Sequence, residues 1–432
     1  MKKIIYVVLD GAADTPNPEI GGKTAFEEAD IPNIDYLARN GKNGIMQVLP
    51  IPPESDEAVL SLLGYDVFKV YTGRGPLEAI GGGVDFKDGD LALRCNFATL
   101  KDNKIIDVRA GHISDSEASE LAKSIQKYVT LTNASYIFKN TAGYRGVLVI
   151  KSKEKLSPKI SGNHPGYHLQ YFDTAWSRWG ESKSIPLSFA VRSDMIFRKC
   201  VPLEKSKAAS FSAQLVNEFV EKSRLILENH PVNLKRIKEG KLPANVILVR
   251  DPGTQIPKLY SFRKVYGMNW AAFADMPLER GIAQLCGMDV IPVPPLSNNF
   301  EQDLAIRALT LLKNIHLYDA FYIHLKGPDI YAHVGDIKGK VKSIEAIDKY
   351  FFKPVLSHID LENTIVIVTC DHTTSSLERV HTDDPVPVTI SGGGVMPDHI
   401  GSFCEKECAK GSLGRIHARQ LLPYVIKLAK KW

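Results

Sequence analysis

The sequence predicts an α/β fold with a doubly wound, mostly parallel sheet and an inserted smaller α+β domain. Short apolar runs alternate with helical patterns at both ends of the chain, the middle has a different pattern, and acidic or histidine residues follow several apolar runs. Alternating strands and helices are typical of parallel sheets, whose strands are buried on both faces.

The strands are predicted where the chain is continuously apolar or β-branched. The first is IIYVVL at residues 4–9, which a polar turn follows. Segments of the same character lie at 245–250, 268–274, 288–293, 319–325 and 363–369. Runs of this length predict strands of one sheet that is covered by helices on both faces.

Helical patterns separate these strands. Residues 33–40 follow Pro32 and precede Gly41, residues that favour the start and the end of a helix. Further helices are predicted at 278–286, 301–314 and 339–357. A long helix at 206–229 is expected to return the chain to the main sheet.

The middle of the chain predicts a second domain. Short alternating segments at 91–99 and 145–151 surround one clear helix at 115–128, and glycines crowd residues 73–83. We therefore predict a discontinuous core domain, residues 1–72 and 206–432, and an inserted domain at 73–205.

Composition excludes several classes of protein. The 432 residues are 44% hydrophobic and 24% charged, and the net charge of +5 with scattered lysine and arginine favours neither nucleic acid nor membrane as a partner. No apolar run reaches the ~18 residues of a membrane span. The N-terminus lacks the cleavage site of a signal peptide, so we predict a cytoplasmic protein. The cysteines show no zinc-ribbon spacing and are expected to be free, buried thiols.

Acidic and histidine residues follow three of the predicted strands. The carboxyl ends of parallel strands form the ligand-binding edge of an open α/β sheet, so we expect these side chains to meet. They are Asp10, Asp329, His333, Asp371, His372 and His381. Each residue alone has a structural alternative, since an aspartate after a strand is often a turn or helix-cap residue.

Three converging carboxylates would repel one another unless cations lay between them. Two divalent ions would remove the repulsion. Mixed carboxylate and imidazole ligands without thiolate suit manganese or zinc better than calcium. Two such ions ~4 Å apart typically serve phosphoryl transfer.

A candidate nucleophile lies in PIPPESDEAVLSLLGYD at residues 50–66. Ser55 comes directly before an apolar helical pattern. Ordinary helix capping by serine or aspartate with Glu57 would explain this stretch. A functional serine at this position would have helix N–H groups that favour a phosphate. The residue pattern leaves both interpretations open.

Six fragments, in this order, resemble a known family: LDGAAD, ESDEAVLSLLGYD, YTGRGPLEA, HLKGPDIYAH, CDHTT and HTDDPVP. They resemble the cofactor-independent (2,3-bisphosphoglycerate-independent) phosphoglycerate mutases of the archaeal type, within the alkaline phosphatase superfamily. The resemblance covers most of the chain and is weakest at about 150–200. It implies an alkaline-phosphatase-like core domain that binds metal and an inserted domain that binds substrate.

The resemblance also implies an activity. Such an enzyme would interconvert 3-phosphoglycerate and 2-phosphoglycerate in glycolysis and gluconeogenesis, through a phosphoserine at Ser55. Two divalent ions would be bound, manganese first, with zinc, cobalt or magnesium as alternatives, and no 2,3-bisphosphoglycerate. The implied ligands are Asp329, His333 and His381 for one ion, and Asp10, Asp371, His372 and the Ser55 oxygen for the other.

The family's inserted domain binds the substrate's carboxylate and phosphate with arginines, whose planar fork suits bidentate contacts. The matching candidates are Arg74, Arg109 and Arg145, with Lys326 and Arg280 as further phosphate contacts. The chain departs from the family at three places. Val334 replaces an acidic residue, His112 replaces an arginine, and residues 161–184 do not match the usual segment.

Other functions remain compatible with the same residues. A metal-dependent phosphatase or sulfatase would use the same ligands and Ser55, as would another phosphomutase of the superfamily. A non-catalytic, metal-binding descendant is a further alternative. The arginine-bearing insert favours the mutase, because a mutase must exclude water and retain glycerate. The sequence does not distinguish a monomer from a homo-oligomer.

Overall fold

The computed structural model describes residues 1–174, 183–191 and 193–430. The chain forms two compact units. The first comprises Met1–Val67, Leu259–Asp275 and Ala283–Trp432, and the second comprises Phe68–Lys258 and Met276–Ile282. The predicted insert ended at residue 205, whereas the second unit continues to Lys258. Of the poorly matching segment 161–184, residues 175–182 lie outside the described part.

A mostly parallel sheet forms the centre of the first unit, as predicted. Lys3–Leu9 pairs in parallel with Ala320–Leu325 on one side and Thr364–Cys370 on the other. Val386–Gly392 then pairs antiparallel with both of its neighbours. From edge to edge the strands are Asp289–Val290, Trp270–Phe273, Ala320–Leu325, Lys3–Leu9, Thr364–Cys370, Val386–Gly392, Gly41–Gln47 and Gly414–His417.

The register of the central strands sets the position of the polar residues that follow them. Leu9 lies opposite both Leu325 and Cys370. The next residue of each strand therefore lies at the same edge of the sheet. All residues of Ala320–Leu325 and Thr364–Cys370 are buried.

The helical segments predicted at 33–40, 301–314 and 339–357 are helical in the first unit, and the structure adds helices that the sequence did not predict. The pattern at 339–357 is a continuous run of two α-helices joined by a π-helical turn. The helices of the first unit are Pro18–Ile20 (3-10), Ala25–Glu28, Pro32–Arg39, Ser55–Leu62, Phe262–Tyr266, Phe300–Asn314, Pro328–Val334, Ile337–Ile347, Asp348–Phe352 (π), Lys353–Leu356, Glu405–Cys408 and Ala418–Lys430. A small ribbon of Thr373–Ser375 and Val380–Thr382 follows the central strand Thr364–Cys370.

The second unit has its own antiparallel sheet. Its order is Lys104–Asp107, Leu91–Lys101, Arg145–Ser152 and Ala134–Ala142, with Val246–Gly253 also paired to Leu91–Lys101. A hairpin of Tyr167–Thr174 and Lys183–Ala190 is separate from it. The helices are Arg74–Gly81, Asp115–Tyr128, Lys207–Glu228 and Pro231–Lys238, and Val67–Val70 and Pro277–Leu285 contain residues of both units.

Two predictions about this region were wrong. The segment predicted at 245–250 is part of strand Val246–Gly253, but this strand pairs antiparallel with Leu91–Lys101 and does not join the parallel sheet. Helix Lys207–Glu228 does not return the chain to the main sheet, because Val216 and Phe219 belong to the apolar core of the second unit. A fully buried strand contains no sequence signal for the sheet that it joins.

Two expectations from composition can be compared with the structure. All six cysteines are buried free thiols, as predicted. Among the described residues, every helix is too short or too polar to cross a bilayer.

Candidate active site

Two clusters of carboxylate and imidazole side chains lie in the first unit, at the carboxyl ends of the central strands. The first consists of Asp329, His333 and His381, and the second contains Asp10, His324 and Asp371. Within each cluster, one nitrogen or oxygen atom of every residue lies within 4.8 Å of the others.

In the first cluster, the Nε2 atoms of His333 and His381 lie 3.2 Å apart. Asp329 Oδ2 is 3.4 Å from the first of these atoms, and Oδ1 is 3.5 Å from the second. His333 Nδ1 donates to the Arg379 carbonyl oxygen at 3.1 Å, and His381 Nδ1 donates to that of Pro53 at 2.8 Å. A carbonyl oxygen can only accept, so each Nδ1 carries a proton. In its neutral form each ring would therefore direct its Nε2 lone pair toward the same carboxylate, and these three groups are a donor set for a divalent cation.

Protons stabilise this arrangement when no cation is bound. Burial opposes ionisation of Asp329, but hydrogen bonds from His333 and His381 hold its pKa well below the usual range. Burial lowers the pKa of His381, but the Asp329 carboxylate outweighs this effect and raises the pKa to about 10. The pKa of His333 is also raised, against burial, by Asp329. A metal ion would displace these protons.

The second cluster joins two carboxylates to two imidazoles. His324 Nε2 lies 3.5 Å from Asp10 Oδ1 and 3.3 Å from Asp371 Oδ2. His372 Nε2 lies 4.0 Å and 3.2 Å from the same two oxygens. Lys326 Nζ is 3.3 Å from Asp10 Oδ1. The convergence of these atoms is a second candidate cation site.

His324 is a residue that the sequence analysis missed. It is 1% exposed, and burial lowers its pKa, but Asp10 and Asp371 outweigh burial and raise the pKa to about 9. Burial opposes ionisation of Asp371, but His372 and the hydrogen bond from His324 hold its pKa well below its usual range. The available signal was a histidine inside the otherwise apolar strand AFYIHL, where a buried polar group needs a partner.

Ser55 is the first residue of helix Ser55–Leu62, and Glu54 is its N-cap. Glu54 and Glu57 form a capping box in which the Glu54 backbone N–H donates to the Glu57 carboxylate at 3.0 Å. Glu54, and not the serine, is therefore the capping residue. The Pro53 carbonyl accepts the hydrogen bond from His381, so the turn that carries Ser55 is fixed to the first cluster.

A buried ion pair supports the segments that carry the second cluster. Lys340 is 0% exposed, and its Nζ donates to Asp14 Oδ2 at 2.9 Å. It also donates to the carbonyl oxygens of Ala13 at 2.9 Å and Thr374 at 2.8 Å. Asp14 in turn accepts hydrogen bonds from the backbone and hydroxyl of Ser376. One ammonium group thus connects the segments that follow two central strands.

The second unit contains a cluster of buried arginines. Arg74, Arg94 and Arg250 are 8%, 6% and 5% exposed. Glu78 Oε1 accepts from Arg74 Nε at 3.0 Å and lies 3.8 Å from Arg94 Nε. Arg250 pairs with Asp251 at 2.8 Å. Burial and then the charges of Arg250 and Arg74 lower the pKa of Arg94 to about 9, so an anion would stabilise this cluster.

Two other arginines that the sequence predicted as substrate contacts, Arg109 and Arg145, lie near the ring of Tyr144 in the same unit. The guanidinium carbons of Arg145 and Arg109 lie 5.4 Å and 6.0 Å from the Tyr144 ring centre. Burial raises the pKa of Tyr144, but Arg145, Arg94 and Arg109 outweigh it and lower the pKa to about 8. Arg280 lies in the segment Met276–Ile282 of this unit. Among the predicted phosphate contacts, Lys326 alone is in the first unit.

Comparison with known proteins identifies the family. A model of 2,3-bisphosphoglycerate-independent phosphoglycerate mutase matches residues 38–233. The 2,3-bisphosphoglycerate-independent phosphoglycerate mutase of Thermococcus kodakarensis is 37% identical over 100% of this chain and 98% of its own. That of Aeropyrum pernix is 38% identical over 96% of both chains. The chain belongs to the 2,3-bisphosphoglycerate-independent phosphoglycerate mutase family. The protein is therefore an enzyme, and the enzymes of its family work without 2,3-bisphosphoglycerate, as the resemblance implied.

Solved structures share the fold of this mutase-family chain. The PH0037 protein of Pyrococcus horikoshii is 30% identical, with a TM-score of 0.77 over 100% of this chain and 98% of its own. The cofactor-independent phosphoglycerate mutase of Thermoplasma acidophilum is 32% identical, with a TM-score of 0.60 over 99% and 100% of the two chains. The α/β fold class predicted from the sequence is confirmed.

Proposed function

We propose that this protein interconverts 3-phosphoglycerate and 2-phosphoglycerate, in glycolysis and gluconeogenesis, through a phosphoserine at Ser55. The observation that supports the proposal most strongly is the pair of carboxylate–imidazole clusters, one of which is hydrogen-bonded to the turn that carries Ser55. Membership of the mutase family gives the substrate class. The buried free thiols are consistent with the cytoplasm as its compartment.

We propose that the clusters hold two divalent ions. Their donors are carboxylates and imidazoles without thiolate, so manganese is our first choice, with zinc, cobalt or magnesium as alternatives. When bound, the ions would neutralise phosphate charge and favour ionisation of the serine hydroxyl. The proposed ligands are Asp329, His333 and His381 for one ion, and Asp10, Asp371, His372 and the Ser55 oxygen for the other.

Ser55 would transfer the phosphate in two displacements. In the first, its oxygen bonds to phosphorus as the bond from phosphorus to the 3-oxygen of glycerate breaks, and the serine proton passes to that oxygen. In the second, the 2-oxygen of glycerate attacks the phosphoserine, and its proton returns to Ser55. The reaction is balanced without an added reactant. Lys326, held beside Asp10, would contact the phosphate.

Arginines of the second unit would bind the carboxylate and phosphate of the substrate. We propose this role for the predicted Arg74, Arg109, Arg145 and Arg280, and we add Arg94 and Arg250. Guanidinium groups suit bidentate contacts with both anions. A mutase must keep glycerate bound between the two displacements, and a hydrolase that uses the same metals and serine need not.

The test compares metal-stripped and manganese-loaded protein in an enolase-coupled assay without 2,3-bisphosphoglycerate. Released inorganic phosphate is measured in parallel. We expect 2-phosphoglycerate formation only with metal, and loss of that activity in Ser55→Ala but not in Ser61→Ala, a serine of the same helix whose hydroxyl donates to the Val48 carbonyl. Phosphate release without 2-phosphoglycerate would identify a phosphatase instead. Metal binding without either activity would identify a non-catalytic relative.

A further inference from the structure

We propose that Thr374 is a positioning residue whose hydroxyl couples the two metal clusters. The hydroxyl lies between Asp329 of the first cluster and His372 of the second. This proposal rests on the two-metal site proposed above and adds to it a bridge between the sites.

The donors and acceptors of this bridge have only one consistent arrangement. Thr374 Oγ1 lies 2.9 Å from Asp329 Oδ1 and 2.9 Å from His372 Nδ1. A carboxylate oxygen accepts, so the single hydroxyl proton is donated to Asp329 Oδ1. The hydroxyl oxygen must then accept from His372, whose Nδ1 therefore carries the proton.

This tautomer determines which nitrogen of His372 is available to a metal. With the proton on Nδ1, Nε2 is the nitrogen left for a metal, and it lies 3.2 Å from Asp371 Oδ2 and 4.0 Å from Asp10 Oδ1. The same hydroxyl fixes one oxygen of Asp329. Thr374 therefore orients one ligand of each cluster, in the manner of hydrogen-bond partners that surround metal ligands in other proteins.

Thr374 itself is held rigidly. Its side chain is 0% exposed, and its backbone N–H donates to the Ala13 carbonyl at 3.0 Å. Its own carbonyl accepts from Lys340 Nζ at 2.8 Å. In the small ribbon it lies opposite His381, a ligand of the first cluster. A hydroxyl held on all sides can impose its geometry on both neighbours.

Gly11 leaves space for the bridge. A Cβ atom at this position would lie 2.6 Å from Thr374 Oγ1 and 2.6 Å from Asp329 Oδ1. The φ of Gly11 is +55°, and its backbone N–H donates to Asp371 Oδ1 at 2.9 Å. A glycine is therefore required for the backbone to contact the second cluster while the hydroxyl of Thr374 reaches the first.

Because the hydroxyl is shared, an ion at one cluster fixes the bridge that the other cluster uses. Binding of the first ion should then favour binding of the second. By linkage the effect is the same in both directions, typically 5- to 150-fold in affinity.

The experiment titrates metal-stripped full-length protein with Mn²⁺ by calorimetry. Thr374→Val keeps the shape and removes the hydroxyl, whereas Thr374→Ser keeps the hydroxyl. We expect Thr374→Val to lose about 10- to 100-fold in manganese affinity, together with the coupling between the sites. Thr374→Ser should retain both. Wild-type affinity and coupling in Thr374→Val, or an equal loss in both variants, would overturn the proposal.

Nitrogen-15 NMR of the histidine rings provides a second readout that does not depend on metal or on folding of a variant. We expect metal-free wild-type protein to have His372 protonated at Nδ1. Protonation at Nε2 alone would overturn the proposal. If wild-type protein binds no manganese and lacks mutase activity, the two-metal function fails, and the ring tautomer still decides the hydrogen-bonded bridge.

Discussion

Replacing Lys340 by methionine tests the buried ion pair that supports the second cluster. Methionine is similar in length but cannot donate to Asp14 or to the carbonyl oxygens of Ala13 and Thr374. Removing one partner of a buried pair typically costs about 3–5 kcal/mol, because the other charge stays buried without compensation. Asp14 keeps the two hydrogen bonds from Ser376, so its carboxylate is still partly stabilised in the variant.

The assay is hydrogen exchange at the amides of strand Lys3–Leu9, since this strand lies at the centre of the first unit. We expect their opening free energy to fall by about 3–5 kcal/mol in Lys340→Met. The double variant Asp14→Asn, Lys340→Met should recover part of the loss, because no uncompensated charge remains. A loss below about 1 kcal/mol in the single variant, or a further loss in the double variant, would refute the reasoning.

Three other predictions follow from the site. In metal-free protein, the carboxylate partners raise the pKa of His324 to about 9 and that of His381 to about 10, above the ordinary histidine pKa of about 6.5. The stabilisation from these two ion pairs is therefore complete below about pH 6.5 and is lost as the pH rises through 9 to 10. The melting temperature of chelator-treated protein should therefore fall over this range, and that of manganese-loaded protein should fall less; equal falls would contradict this. Arg94→Met should raise the KM for 3-phosphoglycerate about 10- to 100-fold, by loss of a charge-assisted hydrogen bond, without lowering the melting temperature of the ligand-free protein; an unchanged KM would argue against its role. Gly11→Ala should weaken manganese binding at both clusters in calorimetry, because its Cβ would overlap Asp329 of the first cluster and the Thr374 hydroxyl, which also contacts His372 of the second; wild-type binding at both would contradict this.

The parallel half of the main sheet could be predicted because its strands are continuous apolar runs. Thr364–Cys370, for example, is buried at every residue. The antiparallel half could not, since Gly41–Gln47 reads GKNGIMQ and resembles a loop. Its glycines are explained by packing, because a Cβ at Gly44 would lie 2.5 Å from the Gly414 carbonyl oxygen. Only the pairing of the strands makes that requirement visible.

The candidate site could be predicted where its residues follow strands, and not where they lie inside them. Asp10 and Asp371 come directly after apolar runs, and register brings them together. His324, Arg94 and Arg250 lie within strands, where an apolar run or an alternating segment suggested packing and not chemistry. Their partners come from distant parts of the chain, which spacing alone cannot identify.

The most direct test of the central claim is the transfer of phosphate to Ser55. Manganese-loaded protein is mixed with 3-phosphoglycerate that carries radioactive phosphate, quenched in acid within one turnover, and digested for peptide analysis. We expect label on the peptide that contains Ser55, and none in Ser55→Ala. Conversion of 3-phosphoglycerate to 2-phosphoglycerate with no label on Ser55 at any time would contradict the account.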